Sequence, residues 1–275
     1  MIELPEGISL AKQLNETVKG KTIANVVANA SPHKFAWLSG DSAHYNALLK
    51  GKTVGETHSF GGKVEIEAED ARIAFAEGIN LRYLAAGETL PKKHQLLVAF
   101  TDGSALVCTV QMYGGLWAFK EGTFDNEFYL ASKQKPSPLS DVFDWAAFKA
   151  LADEHQNKSA KAFLATEQRI PGLGNGVLQD ILFNARVNPK TKVALLTEQE
   201  LGALFQSVKT TLQQMADQGG RDIETDLYGN PGGYQTVMSK NGLAKPCPGC
   251  GGSIVKVAYM GGSVYYCPSC QKERK

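Results

Sequence analysis

The apolar residues near the start of the chain follow a helical period. Leu10, Leu14 and Val18 recur four positions apart, which places them on one face of a helix. Pro5 suits the first helical turn and Gly20 suits the stop. This spacing predicts a helix that begins almost at the first residue.

Farther along, the pattern becomes alternating and rich in β-branched residues. It predicts strands at residues 22–30, 34–39, 63–68, 72–77, 95–101 and 104–110. Glu69-Asp70 and the segment 101–103 are typical of hairpin turns between the last two pairs. The first half of the chain is therefore predicted to be a β-sandwich or barrel capped by one helix.

The period changes again in the second half of the chain. Residues 133–140 contain two prolines and no apolar period, so they are the best linker candidate. From Asp144 to about Gly219 the pattern is helical, and Thr197 and Glu200 have the spacing of a capping box at the start of one helix. We predict a helical domain after the linker.

Length and charge narrow the class of protein. A chain of 275 residues can hold two domains, and neither its first twenty residues nor any later stretch has the apolar run of a signal peptide or membrane span. We therefore expect a soluble, cytoplasmic protein. The net charge is only +1, but residues 240–275 carry six basic residues against one acid. That local excess suits one basic face presented to phosphate.

Four of the five cysteines form two CxxC pairs, Cys247/Cys250 and Cys267/Cys270, separated by sixteen residues. Residues 253–259 and 263–266 between them have the pattern of a β-hairpin that would bring the pairs together. Four thiolates in this spacing are typical of a closed structural zinc site, whereas two disulfides do not suit a chain without a secretion signal. We predict one structural Zn²⁺, with nucleic acid favoured over a protein partner because the surroundings are basic. Cys108, alone in an apolar strand, is assigned to the core.

A glycine-rich turn precedes a helical pattern at residues 172–176. The turn leaves backbone N–H groups and the Asn175 side chain free to hold an anion such as a DNA phosphate. A helix–helix turn that needs glycine for its dihedral angles explains the same residues, and this motif alone favours that explanation.

Three motifs together resemble the formamidopyrimidine-DNA glycosylase and endonuclease VIII family. They are the opening 3–6 (Glu-Leu-Pro-Glu), the turn that ends at Asn175, and the terminal pairs of cysteines, in the family's order and separation. The resemblance implies an α+β fold of two domains. The expected parts are an N-terminal β-sandwich catalytic-type domain opened by a helix (1–132), a helix-two-turn-helix DNA-binding domain (141–235) and a zinc-finger β-hairpin with four cysteine ligands (240–275).

The resemblance also implies an activity and a partner. The expected partner is double-stranded DNA with damaged bases or abasic sites. The expected reaction is excision of oxidised bases by base flipping, followed by strand cleavage at the abasic site. We expect a monomer, active in the cytoplasm and associated with the bacterial nucleoid during repair.

The residue at the family's nucleophile position differs here. The resemblance implies an N-terminal proline that attacks C1′ of the damaged nucleotide, but this chain has Ile2. Ile at this position disfavours removal of Met1, which would leave the Met1 α-amine one residue out of register. If Met1 is removed, the alternative nucleophile is the Ile2 amine, a primary amine that can form an imine. We therefore expect weak or no AP lyase activity.

Other family positions are retained. Glu3 corresponds to the family's essential carboxylate, Glu6 to the next acid, and Lys63 to a lysine that contacts phosphate near the lesion. Asn175 corresponds to the phosphate-binding asparagine, and Asp180 to a common helix acid. Without the resemblance, Glu3 is simply an acid favoured at a helix start, and Lys63 a charge at a strand end.

The residues expected to fill the gap left by a flipped base depart from the family. Gln111, Met112 and Tyr113 occupy the loop in which the family has an arginine and a phenylalanine, and Ile79 is the other wedge candidate. The hairpin turn also lacks the expected arginine. Lys256 or a terminal basic residue would have to replace it.

Three functions therefore compete. The chain is a DNA glycosylase with weak or no lyase action, a catalytically weakened or inactive damaged-DNA-binding protein on the same scaffold, or a zinc-ribbon interaction protein without a DNA role. The retained Glu3, Lys63 and Asn175 favour the glycosylase, and the missing proline and arginine favour the second.

Overall fold

The computed structural model describes residues 1–274. Lys275, one of the basic residues counted at the C-terminus, lies outside the described residues. Within the described range, none of the helices combines the length and apolar character needed to cross a bilayer.

The chain opens with helix α1, Leu4–Thr17. Glu3 is its N-cap, and Glu3 and Glu6 form a reciprocal capping box that satisfies backbone donors of the first turn. Leu10 and Leu14 are buried on the face turned toward the sheets. The predicted N-terminal helix is confirmed.

Residues 23–120 form two packed sheets. The strands are β1 (Ile23–Ala28), β2 (Ala36–Leu38), β3 (Val54–Phe60), β4 (Lys63–Ala68), β5 (Ala71–Phe75), β6 (Ile79–Leu84), β7 (Leu96–Phe100), β8 (Ala105–Val110) and β9 (Gly114–Lys120). One sheet has the order β1-β7-β8-β6 and the other β2-β9-β5-β4-β3. Their inner faces share one hydrophobic core with α1, so the predicted sandwich with a helix is confirmed.

The six predicted strands are present and three others were missed. Both predicted hairpins form, with Ala68 opposite Ala71 and with Ala99 opposite Ala105. β3 was missed because its sequence is mostly polar, and β9 because it begins with two glycines. β6 was missed because it follows β5 after only three residues, so the apolar residues of the two strands form one continuous run in the sequence.

The second half of the chain is largely helical. Its helices are α3 (Glu127–Gln134), α4 (Trp145–Glu154), α5 (Ala160–Ala165), α6 (Leu178–Asn184) and α7 (Glu198–Asp217), with a 3₁₀ turn at Val193–Leu195. The β-rich part contains a 3₁₀ turn at Ser42–His44 and the short helix α2 (Tyr45–Leu49) between its strands. The predicted capping box of Thr197 and Glu200 starts α7. A separate core packs α4 to α7 together, whereas Tyr129 of α3 packs with Trp117 and Phe119 of β9.

The predicted linker begins too early. α3 continues to Gln134, so the first two residues of the segment 133–140 are helical. Asn126 caps this helix by accepting a bond from the Tyr129 N–H, a signal that lies outside the predicted linker. The domain limits 1–132, 141–235 and 240–275 stay a prediction.

The C-terminal segment forms the predicted hairpin from β10 (Val255–Tyr259) and β11 (Gly262–Tyr266). Met260 and Gly261 make its tight turn, both with positive φ. Gln179 of α6 accepts a bond from the Tyr265 N–H at 3.0 Å. The hairpin is therefore docked on the helical region.

Candidate active site

A cavity of about 480 Å³ lies where several distant parts of the chain meet. Its wall includes the start of the chain, the start of β6, the turn before α6, the loop 223–225 and strand β11. The predicted residues in this wall are Met1, Ile2, Glu6, Ile79, Gln111 and Asn175. The chain start, the asparagine turn and the hairpin thus converge on one cavity.

Glu3 is buried behind this wall. Its carboxylate accepts hydrogen bonds from the N–H groups of Gly176 at 2.8 Å and Val177 at 2.7 Å. Burial raises the pKa of Glu3 above its ordinary value of 4.5, against the opposing charge of Arg221. The predicted catalytic carboxylate therefore points into the protein, where it holds the turn before α6.

Glu6 is paired with a fully buried arginine. Arg221 donates from Nε to one Glu6 oxygen at 2.9 Å and from Nη2 to the other at 2.8 Å. Burial alone would raise the pKa of Glu6, but the Arg221 guanidinium lowers it below its usual range. Arg221 Nη1 also lies 3.4 Å from Glu3. One guanidinium thus binds both predicted acids of α1.

The first two residues have different environments. Ile2 is 3% exposed and belongs to the core of the sandwich, although part of it reaches the cavity wall. The Met1 α-amine forms an ion pair with Glu224, which also lies in the wall. The N-terminal amine is therefore held at the cavity by a carboxylate.

Close packing explains the glycines of the turn at 172–176. A Cβ on Gly176 would lie 1.6 Å from Arg221 Nη1, and one on Gly174 would lie 2.5 Å from a Glu3 oxygen. Gly172 has a φ of 76°, and its N–H donates to the Gln168 side chain at 3.0 Å. Gly174 and Gly176 therefore allow the Glu3 and Arg221 side chains to lie close to the backbone of the turn.

Asn175 joins this turn to the hairpin. Its Nδ2 donates to the Ser263 carbonyl at 3.1 Å, while its Oδ1 is buried without a partner among the described residues. Gln179 donates to the same Ser263 carbonyl at 3.1 Å. Asp180 accepts bonds from the N–H groups of Val237 and Met238, so this acid holds the loop before the hairpin.

Lys63 lies away from the cavity wall, at the start of β4. It is 1% exposed, and its Nζ donates to Ser132 at 2.8 Å and to Glu77 at 3.2 Å. Ser132 belongs to α3, which covers this end of the sheet. The predicted phosphate-contacting lysine is thus satisfied inside the protein.

The predicted wedge residues divide into buried and exposed ones. Ile79 is 2% exposed, whereas Met112 is 63% exposed and Tyr113 37%. Tyr113 packs against Trp37 of β2, with ring centroids 5.5 Å apart. Met112 is therefore the most exposed apolar side chain of this loop, and Trp37 supports its neighbour.

Lys256 is exposed on β10, with its ammonium 5.9 Å from the centre of the Tyr265 ring. No pattern in the sequence indicated three further residues of this region, Arg221, Glu224 and Trp37. The segment 219–224 has no periodic pattern, and the partners of Arg221 lie more than two hundred residues earlier. A lone exposed tryptophan in a short strand gives equally little signal.

The four cysteine sulfurs come together beside the hairpin, all within 4.8 Å of one another. Sγ of Cys247 lies 3.8 Å from that of Cys270, and Sγ of Cys250 lies 3.5 Å from that of Cys267. Four sulfurs around one point can hold a metal ion. Cys108 is buried in β8, as predicted.

Comparisons with known proteins give one consistent result. The family model of the formamidopyrimidine-DNA glycosylase H2TH domain matches residues 135–226. The formamidopyrimidine-DNA glycosylase of Cytobacillus firmus is 27% identical, over 98% of this chain and 100% of the relative. That of Thermus thermophilus is 28% identical, over 99% of each chain.

Solved structures show the same fold. Lactococcus lactis Fpg in a complex with DNA containing an abasic site has a TM-score of 0.84 and 22% identity, covering 98% of this chain and 100% of that chain. A complex of the same protein with DNA containing an oxidised pyrimidine has a TM-score of 0.83 at 22% identity, with the same coverage.

The Glu6–Arg221 pair gives a stability prediction. Glu6→Gln leaves the buried guanidinium short of one charge, and we expect it to lower the free energy of unfolding at pH 7 by about 3–5 kcal/mol. Because the folded-state pKa of Glu6 is depressed, its stabilisation is full above the unfolded-state value near 4.5. The difference from wild type should shrink as the pH falls through the lower folded-state pKa.

Urea unfolding at several pH values measures this difference. Glu16→Gln is the matched control, since Glu16 lies on the same helix with its side chain exposed. A loss that is equal at every pH would contradict the assignment to the Glu6 charge.

Proposed function

The chain belongs to the formamidopyrimidine-DNA glycosylase and endonuclease VIII family, and on that premise we propose that it is a DNA glycosylase of base-excision repair. It binds double-stranded DNA and releases oxidised or otherwise damaged bases after flipping them into the cavity. The observation that carries the proposal is the convergence of the chain start, the asparagine turn and the hairpin on this cavity. Its volume of about 480 Å³ lies within the range of roughly 300–1,000 Å³ usual for ligand pockets.

We further propose that AP lyase activity is weak, and two features of the chain start support this. Family lyase chemistry uses the amine of an N-terminal proline, but Ile2 is packed into the core of the sandwich. The Met1 amine is paired with Glu224. An ion-paired ammonium has no free electron pair with which to attack C1′.

The DNA-contacting groups proposed are the exposed ones. Met112 is the wedge that fills the gap in the duplex, supported by Gln111 and Tyr113, and Lys256 on the hairpin contacts phosphate. Asn175 fixes the hairpin beside the cavity through its bond to Ser263, and its role is to position the contacting groups. Ile79 forms the floor beneath this loop. Work on chromosomal DNA would take place in the cytoplasm.

A specific observation favours the alternative, a damaged-DNA-binding protein without chemistry. Glu3 and Lys63, which the resemblance marks as functional, are 2% and 1% exposed and already hydrogen-bonded. On this alternative, they serve the fold alone.

Zinc is the metal that fits the cysteine cluster. Four Zn–S bonds of about 2.3 Å in a tetrahedron place the sulfurs about 3.8 Å apart. The observed separations of 3.8 Å and 3.5 Å match that geometry. The ligands would be Cys247, Cys250, Cys267 and Cys270. Since all four positions are protein sulfur, the ion stabilises the hairpin and takes no part in the chemistry.

We expect one zinc per chain in the purified protein. Cys267→Ser should lose the metal and bind DNA at least about tenfold more weakly, because metal binding supplies folding free energy to the hairpin. Plasma mass spectrometry and fluorescence anisotropy measure the two effects. Cys108→Ser is the matched control and should keep its zinc. Stoichiometric zinc in the Cys267 variant would contradict the assignment.

The activity itself is tested with labelled duplexes that carry oxidised pyrimidines, formamidopyrimidines, abasic sites or cross-links. We expect release of at least one class of damaged base, with little strand cleavage and little borohydride trapping. Tight binding to damaged duplexes without release would support the binding protein. Equal, salt-insensitive binding of damaged and intact DNA would overturn both functions.

A further inference from the structure

Three carboxylates surround Arg221, and they differ in access to the cavity. Glu3 and Glu6 are 2% and 5% exposed, and both are committed to hydrogen bonds inside the protein. The Glu224 side chain is 22% exposed and lies in the cavity wall. Glu6 also lines the cavity, but Glu224 is the most exposed of these three acids and the one not enclosed by hydrogen bonds inside the protein.

The position of Glu224 is fixed by the backbone around it. Its N–H donates to the Arg221 carbonyl at 3.0 Å, and its own carbonyl accepts from Gly232 at 3.2 Å. Arg221 is in turn anchored to Glu6 by its side chain and by its N–H. The loop that carries Glu224 is therefore tied to α1 at the cavity.

We propose that Glu224 is the general base of base release, activating a water molecule that attacks C1′ of the flipped nucleotide. The inference rests on the proposed glycosylase function and names the group that performs its chemistry. It departs from attack by the N-terminal amine.

The step balances without a further reactant. The water oxygen forms a bond to C1′, and its proton passes to the Glu224 carboxylate. The C1′–N bond breaks, its electron pair leaves with the base, and the base takes a proton from solvent. Glu224 then returns its proton to solvent. The negative carboxylate also stabilises the positive charge that develops on the sugar ring during cleavage.

The Met1 amine has a positioning role in this scheme. It pairs with Glu224 from one side, and Arg221 Nη2 lies 4.0 Å from the same carboxylate. These two positive groups hold the carboxylate at the wall. Ile2, buried in the core, keeps the amine from advancing farther into the cavity.

The first test is single-turnover release of the damaged base by Glu224→Gln. Loss of a general base costs a factor of about 10²–10⁴ in rate. We expect a fall of at least about a hundredfold, with duplex affinity changed less than about threefold. Glu224→Asp should recover part of the rate. Glu16→Gln, an exposed acid of α1, should keep the wild-type rate.

The second test uses methanol and needs only the wild-type protein, so it stands even if the variant does not fold. A base that activates water also activates an alcohol, and part of the product should be a methyl 2-deoxyriboside in the strand. Attack by the amine would instead give a borohydride-trapped adduct at Met1.

The outcomes distinguish a failure of the role proposed for Glu224 from a failure of the proposed glycosylase function. A trapped Met1 adduct without methyl glycoside, or an unchanged rate in Glu224→Gln, overturns the role of Glu224 and leaves the glycosylase standing. Absence of base release from every lesion overturns both.

Discussion

The buried guanidinium of Arg221 is the interaction on which the rest of the site depends. A charge this deep in the protein is tolerated only when it is paired and hydrogen-bonded, and an uncompensated one costs several kcal/mol. Glu6 supplies two direct bonds, and Glu3 supplies a second negative charge. Because both acids lie at the start of α1, their pairing fixes the beginning of the chain against the segment that follows α7.

The same constraint shapes the turn before α6. Glu3 binds the Gly176 and Val177 N–H groups, and the Leu4 N–H donates to the Gly172 carbonyl at 2.9 Å. Side chains at Gly174 or Gly176 would collide with Glu3 or Arg221. The turn therefore lies directly against α1, and Asn175 carries the connection on to the hairpin. One buried network of hydrogen bonds and charges therefore joins the segments that form the cavity.

Local patterns were sufficient for much of the fold. Period and capping residues located α1 and α7, alternation located six strands, and the cysteine spacing located the hairpin. These features are encoded within a few residues of one another. β3, β6 and β9 were missed because polar content, glycine and proximity to another strand masked their alternation.

The environment of the site residues could not be read from local patterns. The resemblance pointed to Glu3, Lys63 and Asn175, but not to the burial of the first two, which depends on α3 and on Arg221. The Arg221–Glu6 pair joins residues 215 positions apart. Such a pair leaves no periodic trace in the sequence, and for the same reason Glu224 was not predicted.

A double-mutant cycle between Glu6→Gln and Arg221→Met tests the buried network most directly. The free energy of unfolding is measured by urea denaturation for wild type, the two single variants and the double variant at pH 7. The account predicts strong coupling. The double variant should lose less free energy of unfolding than the two single variants lose together, by at least about 1 kcal/mol. Losses that simply add would contradict it.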